Sequence, residues 1–245
     1  MGDYRKKEII KAFIAIIIIV LALFFGFTVV FKYQMEGDTR IPFKLSKITV
    51  VSSVEGITQN GTENQTISDI FQNNDVYFSI EKNEDSNKED IIQSVSIQNI
   101  KVINNPSVGK IITYMPNSSD GRLFNNSEET IVNDKLTYRG SNKSDSKTLE
   151  IGNQGGTAVI RFSNAGLGKY DLNQEQQVEY NGSMLSKLNI TEEQIKFKVI
   201  FDFVIKLTDK SYITTVSLDL PCKDLVKQGT SSLEVKDNFI FKRVK

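Results

Sequence analysis

Between Lys11 and Lys32 the chain carries no charge: the stretch reads KAFIAIIIIVLALFFGFTVVFK. Residues 12–31 are Ala, Ile, Val, Leu, Phe or Gly, apart from Thr28. At about 1.5 Å of rise per residue, a helix of that length covers about 30 Å, the thickness of a bilayer's hydrocarbon core. A cleaved secretory signal has a shorter apolar region, followed by small residues at the cut. Here the run passes through Phe24, Phe25, Phe27 and Phe31 with no such pair. A core helix of a soluble domain would show a polar face. The run therefore predicts an uncleaved, single-pass transmembrane helix, a signal anchor over residues 12–31.

Basic residues near a span favour the cytoplasmic side, whereas acidic ones count little. Arg5, Lys6, Lys7 and Lys11 crowd the short N-terminal side, and Lys32, Arg40, Lys44 and Lys47 are spread out on the other. These four N-terminal cations are the topology-determining residues, and they predict a cytoplasmic head (1–11) with the bulk of the chain outside. Ala22 and Gly26 stand four apart, on one face of the span. They are its possible helix-packing face, since small residues let helices approach closely in lipid.

A polar stem (32–44) leads into a body of residues 45–245. With four of the 30 basic and two of the 30 acidic residues lying before the span, the exterior part carries 26 against 28, close to neutral. That is not the basic footprint of a nucleic-acid partner. One cysteine, Cys222, allows no internal disulfide, so the body must hold together by its core. The absence of His and Trp, with abundant Asn, Ile and Lys, suggests an A+T-rich bacterial genome. The N-x-S/T triplets at Asn60, Asn64, Asn117, Asn125 and Asn181 then read as chance occurrences rather than glycosylation acceptors.

The body reads as strands. In IKFKVIFDFVIKL (195–207) every odd position is apolar and the even ones include Lys196, Lys198, Asp202 and Lys206. Such alternation buries one face and wets the other. After a turn at 208–211, Tyr212, Val216, Leu218 and Leu220 continue the pattern as the second arm of a hairpin ended by Pro221. Ile48, Val50 and Val54 share a parity, as do Val76, Phe78 and Ile80. Leu149 and Ile151 are expected to pair with Ala158, Ile160 and Phe162 across a glycine turn. Val235, Phe239 and Phe241 mark one C-terminal strand. In SVSIQNIKVI the parity slips near Gln98–Asn99, which predicts a β-bulge. Helical spacing occurs in TISDIF, behind a possible Thr66 cap, and in MLSKL. About nine or ten strands, with polar outer faces, predict a mostly β fold: an antiparallel β-sandwich, jelly-roll-like or alternatively immunoglobulin-like.

Chemistry is poorly represented. GNQGGT (152–157) lacks a phosphate-binding lysine and precedes a strand, so it reads as a hairpin turn. The acids Glu81, Glu84, Asp85, Glu89 and Asp90 lack the alternate spacing of a calcium loop. Without histidine, zinc, copper and Ser-His or Cys-His sites are not expected. No catalytic, cofactor-binding or metal-ligating residue is nominated, and Cys222 is a lone thiol. Two routes to a glycan site stay open: carboxylates among 81–90, Asp120, Glu128 and Glu129, and the tyrosines 114, 138, 170 and 180.

The layout of basic head, span, stem and β-rich body, with stretches such as LSKITVVSSVEG and LEIGNQGGTAVIRFSN, resembles the uncharacterised single-pass envelope proteins of low-GC Gram-positive bacteria. The resemblance implies no activity. Taken together, these readings predict a bitopic, cell-membrane protein that binds or scaffolds at the envelope without catalysis, with no cofactor. Its expected partners are the lipid bilayer and an envelope protein or glycan. The alternatives are a glycan-binding or glycan-cleaving module and an accessory subunit of a membrane complex.

Overall fold

A computed structural model describes residues 2–36, 41–60, 64–84, 86–117, 124, 129–142, 149–173, 183–236 and 239–244. Helix α1 (Gly2–Glu36) opens the chain. It continues through residues 32–36, so the first part of the expected stem is helical. Among the described residues no helix is long and apolar enough to cross a membrane. The side chains described on α1 are Lys11 and residues 13–29, a run shorter than the roughly twenty residues that a bilayer requires. Ala12, Val30 and Phe31, which complete the apolar run, lie outside the described side chains.

Two six-stranded sheets follow, a β-sandwich. The strands in chain order are β1 (Phe43–Asn60), β2 (Asn64–Lys82), β3 (Ser94–Asn104), β4 (Lys110–Met115), β5 (Glu129–Thr130) and β6 (Lys135–Gly140), then β7 (Glu150–Ile151), β8 (Gly155–Asn173), β9 (Phe197–Lys206), β10 (Ser211–Leu220), β11 (Thr230–Val235) and β12 (Lys242–Val244). Three short helices, α2 (Ser183–Lys187), α3 (Glu192–Ile195) and α4 (Leu225–Gln228), complete the described elements. The first sheet runs β11-β1-β2-β8-β4-β5 and the second β12-β10-β9-β3-β6-β7. All pairings are antiparallel except the short β6–β7 contact, which is parallel. The twelve strands among the described residues exceed the nine or ten expected, and six per sheet depart from the eight strands of a jelly roll and the seven to nine of an immunoglobulin domain.

The hairpin β9–β10 forms as its alternation predicts, with Phe197, Val199, Phe201, Phe203 and Ile205 buried against the first sheet and Tyr212, Val216, Leu218 and Leu220 beside them. Phe78 of β2 sits between two of these rings, edge-on to Phe201 at 5.5 Å and stacked on Phe203 at 5.0 Å. Such offset and edge contacts are the favoured aromatic geometries. The slip in β3 is a bulge: its register with β9 shifts between Gln98 and Lys101, and Asn99 takes φ 56°.

Three expectations fail for identifiable reasons. TISDIF is not helical; it lies inside β2, where irregular pairing between Ile67 and Gln72, with Asp69 at φ 49°, turns both Ile67 and Ile70 inward. A bulge thus mimics the i, i+3 spacing of a helix. GNQGGT is not a hairpin turn, because β7 belongs to the second sheet and β8 to the first. It carries the chain across the sandwich. Gly155, at φ 123°, lies so close to β2 that a Cβ would come within 2.5 Å of the Ile80 carbonyl oxygen. The C-terminal segment also divides, Val235 ending β11 in the first sheet while Phe241 is buried just before β12 in the second.

The interior is in two parts. The larger contains the phenylalanines together with Ile48, Val50, Val76 and Ile160. The smaller, at the other end of β1, β2 and β8, contains Val54, Ile67, Ile70 and Leu167, roofed by Met184, Leu185 and Leu225 of the short helices. Between them, at the same inward parity, stand Ser52, Gln72, Asn74 and Asn164, all buried. They form a polar belt: Ser52 Oγ donates to Asn74 Oδ1 (2.8 Å), Gln72 Nε2 donates to the same oxygen (3.2 Å), and Asn74 Nδ2 donates to the Phe162 carbonyl (3.0 Å).

Candidate functional site

The residues nominated from sequence do not converge. The side chains of Arg5, Lys6 and Lys7 lie outside the described residues, and Lys11 is exposed on α1. Ala22 and Gly26 are exposed one turn apart, and a Cβ on Gly26 would meet nothing within 4 Å. That face is open in the single chain. Every described side chain from 13 to 29 is exposed, the large apolar ones from 44% at Ile17 to 69% at Phe27.

Among the loop acids, Asp85, Asp120 and Glu128, and the side chain of Glu129, lie outside the described residues. Glu84 and Asp90 do come together, lining a cleft of about 770 Å³ near Pro42. Lys44 and Lys210 share its wall, and Tyr212 lies there with its ring buried. The arrangement offers no exposed tyrosine beside the acids. Among the described residues no three potential ligands gather as a metal centre would require.

The tyrosines separate as well. Tyr138 is structural: its hydroxyl donates to the Val159 carbonyl (2.8 Å) and accepts from the Val159 N–H (3.0 Å). On β8, strand β4 pairs only with residues 161–165, so at Val159, where no further strand pairs on that side among the described residues, the phenol takes the backbone's hydrogen bonds. Tyr170 has the Lys187 ammonium 5.0 Å from its ring centre, Tyr114 is half-buried, and Tyr180 lies outside the described residues.

The fold creates a polar patch on the outer face of the first sheet that the sequence did not nominate. Cross-strand register sets Asp75 of β2 opposite Arg161 of β8, and the two join in a bidentate ion pair at 2.6 and 2.9 Å, mostly buried. Planar, paired contacts of this kind are the strong ones. The Phe124 ring lies 4.2 Å from the guanidinium carbon, a cation–π contact. Tyr77 stands nearby; burial, and then the Asp75 carboxylate, push its phenol above the usual range. No sequence pattern links Asp75 and Tyr77 to Arg161; the β2–β8 register does, and Phe124 joins them only through its contact with the guanidinium.

A cleft of about 930 Å³ opens at the side of the sandwich. One wall is Ser231–Leu233 of β11, the outermost strand of the first sheet. The opposite wall is the end of β10, Asp219 and Leu220. Strand β12 pairs with β10 only at residues 211–213, so residues 214–220 face no further strand among those described. The cleft thus lies between two strand edges, where backbone N–H and C=O groups are available to a ligand. Its rim is charged with both signs: Lys196 is bound to Glu193, which raises its pKa, and Lys198 lies 3.8 Å from Asp219. Cys222 lies at the base, its backbone N–H donating to Ser52 Oγ (3.0 Å). Burial pushes its thiol up, against the opposing pull of the Ser52 hydroxyl, which suits a packed side chain and not a nucleophile.

No protein-family model matches the chain, and no curated protein or solved structure does either.

Proposed function

We propose that this chain is a membrane-anchored binding or scaffolding module: α1 holds it in the bilayer through residues 12–31, and the β-sandwich outside the cytoplasm presents the cleft between β10 and β11 to a partner. The observation that carries the proposal is α1 itself. Burying a large apolar side chain is worth about 1.5–3 kcal/mol, yet every phenylalanine, isoleucine, leucine and valine between residues 13 and 29 of this helix is exposed. A surface apolar all round suits lipid and not water. The sandwich, in contrast, satisfies its own core. The basic head, Arg5, Lys6, Lys7 and Lys11, favours a cytoplasmic N-terminus. A non-catalytic role fits the absence of histidine from the sequence and a cleft built from strand edges, in which Lys196 and Lys198 are engaged by Glu193 and Asp219. Protease applied to intact cells, or to spheroplasts, should remove the body and leave a membrane-embedded stub that still contains residues 12–31. A body protected until lysis overturns the orientation, and a mature N-terminus after Phe25 overturns the anchor.

A second reading is a glycan-binding module, favoured by the Asp75–Arg161 pair with Tyr77 and Phe124 around it. Planar polar groups beside aromatic rings are a suitable surface for sugar hydroxyls and their apolar ring faces. Retention of cell-wall polysaccharide that is lost in Arg161→Ala but kept in Lys198→Ala would favour this reading over the cleft.

A further inference from the structure

Backbone pairing fixes which groups of β10 are left open. The Leu207 N–H donates to the Lys210 carbonyl (2.8 Å), and the β9–β10 register continues from there without a break. Hydrogen-bonded and non-bonded pairs alternate along such a hairpin. Residues 212, 214, 216, 218 and 220 therefore turn their backbone groups to β9, while Ser211, Ile213, Thr215, Ser217 and Asp219 turn theirs outward. Strand β12 takes up Ser211 and Ile213. Among the described residues no strand pairs with the outward groups of Thr215, Ser217 and Asp219.

This edge is also undefended. Natural edge strands are blunted by lysine, proline or a bulge. Strand β12 carries Lys242 and Arg243, whereas residues 214–220 read TTVSLDL, with neither Lys nor Pro and no register shift against β9. Across the cleft, Leu233 shares the inward parity of its partner Val50, yet Val50 is buried and Leu233 is 46% exposed. Phe197, Leu220 and Pro221 line the same cleft. Its charged residues, Glu193, Lys196, Lys198, Asp219, Lys223 and Asp224, cancel in sign, so the cleft selects neither an anion nor a cation.

We propose that the cleft takes an extended, uncharged segment of a partner protein, which adds to β10 as a further strand at Thr215, Ser217 and Asp219 and sends an apolar side chain toward Leu233. In strand addition the main chain supplies affinity and alternate side chains supply specificity. A second copy of β10 does not fit. Antiparallel pairing about Ser217, the register that uses all three residues, brings the copy's Pro221 level with Ile213, which Lys242 already occupies. The inference deepens the reading of the cleft as the docking face and rests on it.

The test is amide exchange in the full-length, isotope-labelled chain in detergent micelles, with short peptides that alternate threonine with valine, leucine or phenylalanine as probes. Without peptide, the amides of Val216 and Leu218 should be protected and those of Ser217 and Asp219 should exchange fast. At a peptide concentration about ten times its Kd, exchange at Thr215, Ser217 and Asp219 should slow about tenfold. N-methylation of the peptide's threonines, which lie opposite these residues, should abolish the effect, and N-methylation of its apolar residues should not. Slowing at Ser232 and Glu234, the outward residues of β11, would keep the cleft as the docking face and overturn β10 as its edge. No slowing in either strand with any probe overturns the proposal and leaves the anchor, which protease tests, untouched. Protection of Ser217 and Asp219 before peptide is added also overturns it, because the chain itself or a second copy would already hold the edge.

Discussion

The two cores of the sandwich are built on the same three strands and yet differ in kind. The larger is aromatic: Phe78, Phe162, Phe201 and Phe203 interlock across both sheets, and the hairpin β9–β10 supplies much of its volume. The smaller is aliphatic and is closed by short helices of four or five residues instead of a second full sheet. Isolated helices that short have no stability of their own. The belt between the cores interrupts apolar contact with amides. The difference teaches that a continuous pair of sheets need not contain a continuous core, and that its two ends can open with different free energies.

Substitutions can break or sharpen that contrast. The largest effect is expected for Phe201→Ala, about 3–5 kcal/mol lost from global unfolding, because the cavity lies among rigid rings; a loss below about 1 kcal/mol in denaturant titration would contradict the packing. Leu185→Ala removes a buried side chain from the smaller core and should cost about 2–4 kcal/mol. Its signature is regional: amide exchange should accelerate around Val54 and Ile70 while the amides of β9 stay protected. Uniform acceleration would merge the two cores into one cooperative unit.

At the belt, Asn74→Ala leaves the Phe162 carbonyl, Ser52 and Gln72 without their partner. Thermal melting should register a loss of about 1–3 kcal/mol, although the side chain removed is small and polar. A pH effect should follow at Cys222. Its thiol is raised in the folded chain, so below the ordinary thiol range both states are protonated and stability is unaffected. Above it the unfolded chain ionises first, and stability falls as pH rises. Cys222→Ala should show less of this alkaline loss than the unaltered chain; identical slopes would mean that the thiol is not buried. The smallest effect belongs to Lys198→Ala on the outer face of β9, within about 0.5 kcal/mol in the same titration.

Much of the larger core was legible because strand periodicity is local. Residues 195–207 and 212–220 announce their buried face by alternation alone, and the slip at Gln98–Asn99 announces its bulge. The smaller core was less legible, since Ile67 and Ile70 break the period-two rule at a bulge, and their spacing imitates a helix. Leu149 and Ile151 carry a sound strand pattern, but nothing in it says which sheet they join. Of the site, sequence nominated other residues, and the groupings the fold makes were not among them: Asp75 with Arg161, and the edges of β10 and β11 that line the cleft.

What the sequence determined by itself are properties that neighbours in the chain decide: an uncharged apolar run in α1, strands with one wet and one dry face, no disulfide, and no histidine for catalysis. Tertiary structure alone decided what depends on register between distant segments. It set Gln72 against Asn164, gave Tyr138 to the bare edge at Val159, and opened the cleft where β12 stops short. Those outcomes rest on which strands lie side by side, and pairing between segments tens of residues apart is fixed by packing the whole core, not by any stretch of it.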